Sequence, residues 1–190
     1  MKFCVTLDVE PDCGPGWIYS KPLAFEGVRV GIGQRLEPLF KRLGVKPVYL
    51  LSNVVLEDKA GVEVLAGLSS GCELGAHLHP EFIGPRKLFQ NYAGCKGESN
   101  QCFLPPEIEA AKLENLTRLF EDRLGRRPLS FRAGRFSAGK NTFEALARLG
   151  YKVDTSVTPH IRWGDPTREK PVDFSAAPEQ PYFIQTANGA

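Results

Sequence analysis

The chain has 190 residues, 42% of them hydrophobic, which is enough for a single domain over residues 1–190 with a sizeable core. Its 24 Lys and Arg nearly balance 22 Asp and Glu, and a net charge of +2 gives no electrostatic case for a nucleic-acid partner or an anionic membrane. Five cysteines without a Cys-x-x-Cys pair argue against a disulfide framework or a thiolate zinc site. The first residues lack the apolar h-region of a signal peptide, and no run approaches the ~18 apolar residues of a membrane span, so the expected location is cytoplasmic.

Along the chain, apolar runs alternate with helical patterns. Strands are expected at residues 2–7, 47–51, 72–76, 129–131, 152–153 and 182–184. Leu36, Leu39, Phe40 and Leu43 have the spacing of one buried helix face, closed by Gly44 as a left-handed cap. Pro38 fits that helix only if it starts just before the proline or kinks there. A second helix runs from Pro106 to Leu124 with Leu113, Leu116, Leu119 and Phe120 on one face and Gly125 as its stop. A third starts at Asn141, with Glu144 as a capping-box partner, and ends at Gly150. Strand and helix in repetition mean parallel strands joined by crossovers, an α/β fold either open or closed into a barrel. Three long loops, residues 11–27, 80–105 and 163–181, carry aromatics, among them Trp17, Tyr19, Phe82, Phe89, Tyr92 and Trp163, which can wall a groove for sugar rings or tack the loops onto the core.

The chain has 3 histidines, and two of them fall in the stretch His77-Leu78-His79-Pro80-Glu81. The first apolar run ends in Asp8 and Glu10. Two strand ends thus offer imidazoles and carboxylates to one ion, a donor set suited to Zn²⁺ or a similar divalent cation with positions left for water. In an extended segment residues i and i+2 point the same way, and Pro80 holds His79 extended, so His77 and His79 can reach one ion together. Asp8, His77, Arg132 and Asp154 each follow an apolar strand at its C-terminal end, where the active sites of parallel α/β folds are assembled.

The segments Thr6-Leu7-Asp8-Val9-Glu10, Glu73-Leu74-Gly75-Ala76-His77, Phe131-Arg132-Ala133-Gly134-Arg135 and Asp154-Thr155-Ser156 resemble, in order, the motifs of the polysaccharide deacetylase family, also called the NodB-homology domain or carbohydrate esterase family 4. The resemblance implies a distorted or incomplete (β/α) barrel of about six to seven parallel strands with its site at their C-terminal ends. It also implies metal-dependent removal of N- or O-linked acetyl groups from a sugar or polysaccharide intermediate, with Zn²⁺ the first candidate metal. Asp8 then matches the general base, Arg132 the arginine that orients it, and Asp154 the motif that supports that arginine. Metal ligands are Glu10, in place of the aspartate that usually follows the base and is Val9 here, then His77, and His79 in place of a second histidine usually found where this chain has Glu81. Trp17, Arg135 and Trp163 are the candidate substrate-binding residues.

The family's last motif supplies a histidine as general acid. His160 follows the fourth motif too closely to fill that role, so the chain is expected to end before it, as a fragment or a reduced member. Two alternatives stay open. One is an amidohydrolase acting on a small non-sugar amide, and the other a degenerate barrel that binds carbohydrate without turnover.

Overall fold

The computed structural model describes residues 3–68, 71–87, 100–164 and 171–187. It opens with β1 (Thr6–Val9), a hairpin of β2 (Cys13–Gly14) and β3 (Ile18–Tyr19), and a π-helix (Gly27–Leu36) that runs into α1 (Glu37–Leu43). Next come β4 (Val48–Ser52), α2 (Asn53–Glu57), α3 (Lys59–Ala66) and β5 (Glu73–Leu78). The second half contains α4 (Pro106–Leu124), β6 (Ser130–Ala133), α5 (Lys140–Arg148), β7 (Val153–Asp154), and a ribbon of β8 (Arg162–Trp163) and β9 (Val172–Asp173).

Five strands form one parallel sheet in the order β1-β4-β5-β6-β7. Alternation gives the sheet two different faces. Val9, Tyr49, Leu51, Leu74, Ala76, Leu78, Phe131 and Ala133 point to the helix side, where they are buried with Val28, Ile32, Leu113, Leu116, Phe120 and Leu146. The other face carries Thr6, Asp8, Leu50, Ser52, Gly75, His77, Ser130 and Arg132.

That second face is concave. Strands ~4.8 Å apart would put β1 and β6, three ladder steps from each other, roughly 14 Å apart in a flat sheet. Arg132 on β6 nonetheless donates to Asp8 and Thr6 on β1 at 2.8 and 2.7 Å, so the sheet curls toward this side. Gly75 makes room for the curl: a Cβ there would strike Ser130 Oγ and lie 2.8 Å from Leu50 Cδ2. The result is an α/β, barrel-like arrangement with five parallel strands among the described residues.

Helices follow the sequence where stop signals are strong. α4 has the expected bounds, with Gly125 left-handed at φ 65. α1 starts at Glu37 with Pro38 in its first turn, where the missing N–H costs nothing, and ends at left-handed Gly44. The third helix starts one residue early, at Lys140. Thr142 rather than Asn141 serves its start, because Thr142 Oγ1 accepts the Gly139 N–H at 2.9 Å.

The expected strand at residues 182–184 is irregular, and Phe183 is 97% exposed: aromatic and β-branched residues without a neighbouring strand have nothing to pack against. Phe89, Tyr92 and Cys95 lie outside the described residues. No helix among the described residues is long and apolar enough to cross a membrane.

Candidate metal centre

Beyond Val9, which is buried on the helix side, the next residue in β1's direction is Glu10, on the concave side. Its Oε1 lies 3.1 Å from His77 Nε2 and 3.1 Å from His79 Nε2. One ligand atom from each of the three residues falls within 4.8 Å of the others. The two imidazoles are buried and meet edge to face.

The far side of each group is also engaged. His77 Nδ1 donates to the Arg132 carbonyl at 3.0 Å, which leaves the Nε2 lone pair free to face Glu10. His79 Nδ1 faces Glu81 Oε1 at 3.5 Å. Glu10 Oε2 accepts the Tyr19 hydroxyl at 2.9 Å, so only Oε1 is turned to the histidines.

Three acceptor atoms converging on one point repel each other unless a cation or a proton lies between them. Burial works to raise Glu10, but hydrogen bonds and charge from His77 and His79 outweigh it and hold the carboxyl far below the usual range. Burial works to lower His79, but Glu10 and Glu81 push it up to about 9. Two imidazole nitrogens and a carboxylate oxygen, each with its other polar atom hydrogen-bonded or facing a carboxylate, suit a divalent transition metal and fit Zn²⁺.

Asp8 stands beside this cluster, its Oδ1 3.9 Å from His77 Nδ1. Arg132 grips it from across the curl, using Nη1 for Asp8, Nη2 for Thr6, and Nε for the Thr155 carbonyl and hydroxyl. Phe136 underlies the guanidinium, 5.7 Å from ring centre to Cζ, and Trp163 stacks on Phe136 with ring centres 5.2 Å apart.

Other expected site residues are placed differently. Asp154, whose motif was expected to support Arg132, pairs in register with Phe131 and so belongs to the helix-side row. Its oxygens accept the Ser156 N–H and hydroxyl at 2.9 and 2.7 Å, while its neighbour Thr155, one residue on and therefore on the concave face, contacts Arg132. Burial raises the Asp154 carboxyl to about 6 against the opposing Ser156 bonds and the Arg132 charge. Arg135, expected to face substrate, donates to Glu81 at 2.7 Å. Trp17 is 69% exposed at the hairpin turn, and Trp163 is 36% exposed. His160 contacts Glu179 at the surface.

Thr6, Thr155 and Gly134 had no assigned role in the sequence, and Tyr19 only that of a loop aromatic. Two of them carried a signal: Thr6 is two residues before Asp8 and Thr155 one after Asp154, so alternation alone puts Thr6 on Asp8's face and Thr155 on the face opposite Asp154.

No protein-family model matches the chain. A peptidoglycan deacetylase-like protein of Gibberella zeae is 27% identical over 175 residues, spanning 82% of this chain and 44% of the relative. Among solved structures, a CE4 family pseudoenzyme from Bacillus anthracis superposes with a TM-score of 0.52 at 14% identity, over 80% of this chain and 41% of that one. A chitin deacetylase from Colletotrichum lindemuthianum superposes with a TM-score of 0.51 at 14% identity, over 80% of this chain and 54% of that one. The chain thus spans about half the length of these proteins, and the superpositions establish a shared fold.

Proposed function

We propose that this chain, a member of the polysaccharide deacetylase (NodB-homology) family, is a metal-dependent hydrolase that removes an N- or O-linked acetyl group from a sugar or polysaccharide intermediate. The observation that carries the proposal is the convergence of Glu10, His77 and His79 beside an arginine-held Asp8. Glu10, His77 and His79 would hold the cation, with Zn²⁺ the first candidate. A divalent ion, when bound there, supplies Lewis acidity to a carbonyl oxygen and acidifies water.

The rest of the chemistry falls to the chain itself. Asp8 accepts a proton from the attacking water, a role typically worth ~10² to 10⁴ in rate. Arg132 orients that carboxylate through a charge-assisted Nη1 hydrogen bond at 2.8 Å. Trp163, stacked on Phe136 next to Arg132, offers an aromatic face to a sugar ring, and Trp17 offers a second one from the hairpin.

A second reading has its own support. The chain shares its fold with a pseudoenzyme as well as a chitin deacetylase, and it departs from the family's usual ligand pattern at Val9 and Glu81. A barrel of that kind would bind carbohydrate without turning it over.

Elemental analysis of the purified protein, followed by acetate release from acetylated chitooligosaccharides, separates the two. The hydrolase requires stoichiometric metal and acetate release that stops with a chelator and returns with Zn²⁺. Saccharide binding without metal or acetate release would overturn it in favour of the binding barrel.

A further inference from the structure

We propose that Glu81, clamped by Arg135, is a positioning residue that fixes which nitrogen of His79 carries the proton and thereby aims its Nε2 at Glu10. The inference rests on the metal-centre reading above and assigns it an outer layer.

The argument starts from burial. Glu81 is 1% exposed, and a carboxylate in that environment persists only with a compensating charge. Arg135 supplies it through Nη2 at 2.7 Å, and its backbone is bent for the purpose. Arg135 and Phe136 follow each other at φ 54 and φ 52, in the left-handed region that side chains other than glycine rarely occupy. Strain of this kind concentrates where function needs a side chain in one place. Here it turns the guanidinium onto a residue 54 positions earlier in the chain.

The opposite side of Glu81 meets His79. His79 has a carboxylate on each side, Glu10 Oε1 3.1 Å from Nε2 and Glu81 Oε1 3.5 Å from Nδ1; with a cation on the side shared with Glu10, the Nε2 lone pair would be taken by the ion and the ring proton would fall to Nδ1, facing Glu81. The turn that folds Glu81 back under the ring is itself secured. Pro80 to Phe82 form a single 3₁₀ turn, Phe82 N–H donates to the His79 carbonyl at 3.1 Å, and the buried Lys112 ammonium holds the Pro80 and Ile83 carbonyls at 2.7 and 2.6 Å. Glu81 Oε2 has no hydrogen-bond partner among the described residues, which leaves Oε1 as the atom that both Arg135 and His79 address.

Zn²⁺ affinity of the full chain, measured by chelator competition for wild type, Glu81→Gln and Arg135→Met, tests the proposal, with circular dichroism as the folding control. Each substitution is expected to weaken Zn²⁺ binding ~10- to 100-fold, the usual effect of losing a partner behind a ligand. The double variant should lose little more than Glu81→Gln alone, because the two residues act as one unit. With Co²⁺ as the probe, the visible spectrum should keep its coordination pattern in Glu81→Gln. Nitrogen-15 NMR of the zinc-loaded wild type should show the His79 proton on Nδ1.

Unchanged Zn²⁺ affinity in both variants, or a His79 proton on Nε2, overturns the proposal while leaving the metal centre standing. A Co²⁺ spectrum that loses a ligand in Glu81→Gln overturns it by making Glu81 a direct ligand. A wild type that binds no Zn²⁺ overturns the metal-centre reading, and this proposal with it.

Discussion

Arg132 donates to Asp8 at 2.8 Å across 124 residues of sequence, and the contact depends on the curl of the whole sheet. The same guanidinium also serves Thr6 and Thr155, so it ties β1 to the end of β7 through three different nitrogens. A planar fork with fixed donors can do this, and a single ammonium cannot.

Arg132→Lys is therefore expected to retain metal and leave KM nearly unchanged while lowering kcat ~10- to 100-fold, the equivalent of one charge-assisted hydrogen bond at ~1.5–3 kcal/mol. Metal content and a kcat against KM comparison check this. A large rise in KM with kcat intact would put Arg132 on the substrate instead.

Asp8 and His77 should separate cleanly by substitution. His77→Ala removes one of three ligand atoms and is expected to abolish stoichiometric Zn²⁺, whereas Asp8→Asn should keep the metal and lose ~10² to 10⁴ in turnover. Elemental analysis of the two variants beside acetate release decides it. Metal loss in Asp8→Asn would mean that Asp8, and not Glu10, ligates the ion.

The sequence was legible where a local rule acts alone. α4 could be bounded because Gly125 can take a left-handed φ, and the strand-end positions of Asp8, His77 and Arg132 follow from alternating apolar runs. The π-helix at Gly27–Leu36 was missed because three glycines erase the amphipathic pattern; Gly33 is there for close approach, since a Cβ would lie 2.9 Å from Val64. α2 was missed because Val54, Val55 and Leu56 are all buried and extend the apolar run of β4 without a helical period. The face Asp154 occupies was not legible, for a different reason. Its motif sits at the right strand end, but the register that puts it opposite Phe131, and so on the helix side, is a property of pairing between strands.

Gly134 is a position where backbone space controls the site. A Cβ there would lie 2.7 Å from the Leu78 carbonyl oxygen, and 3.0 and 3.1 Å from His79 Cε1 and Nδ1. The carbonyl belongs to β5 and cannot yield without moving the strand end that carries both histidines. Gly134→Ala is expected to cost ~1–3 kcal/mol of stability as overpacking and to weaken Zn²⁺ binding by at least ~10-fold. Urea unfolding and chelator competition measure the two effects. Wild-type Zn²⁺ affinity in this variant would show that the His79 ring is not held against Gly134.

Asp154 gives the protein a pH signature of its own. Burial lifts its carboxyl from an ordinary 3.8 to about 6, against the Ser156 hydrogen bonds and the Arg132 charge. The folded state therefore holds this proton more tightly than the unfolded chain does. Its contribution to stability is full below pH ~4 and is lost as pH rises through ~6, by ~1.36 kcal/mol per unit of difference, on the order of 2–3 kcal/mol in all. Asp154→Asn does not titrate. The substitution also disturbs the bond from the Ser156 hydroxyl, which itself accepts the Ala133 N–H, but that loss is a constant offset across pH. Urea unfolding of wild type and variant at pH 4, 5, 6 and 7 should show the variant gaining on wild type through this window and running parallel above it. Curves that stay parallel throughout, or a variant that falls behind as pH rises, would show that Asp154 is ionised in the folded protein even at the acid end.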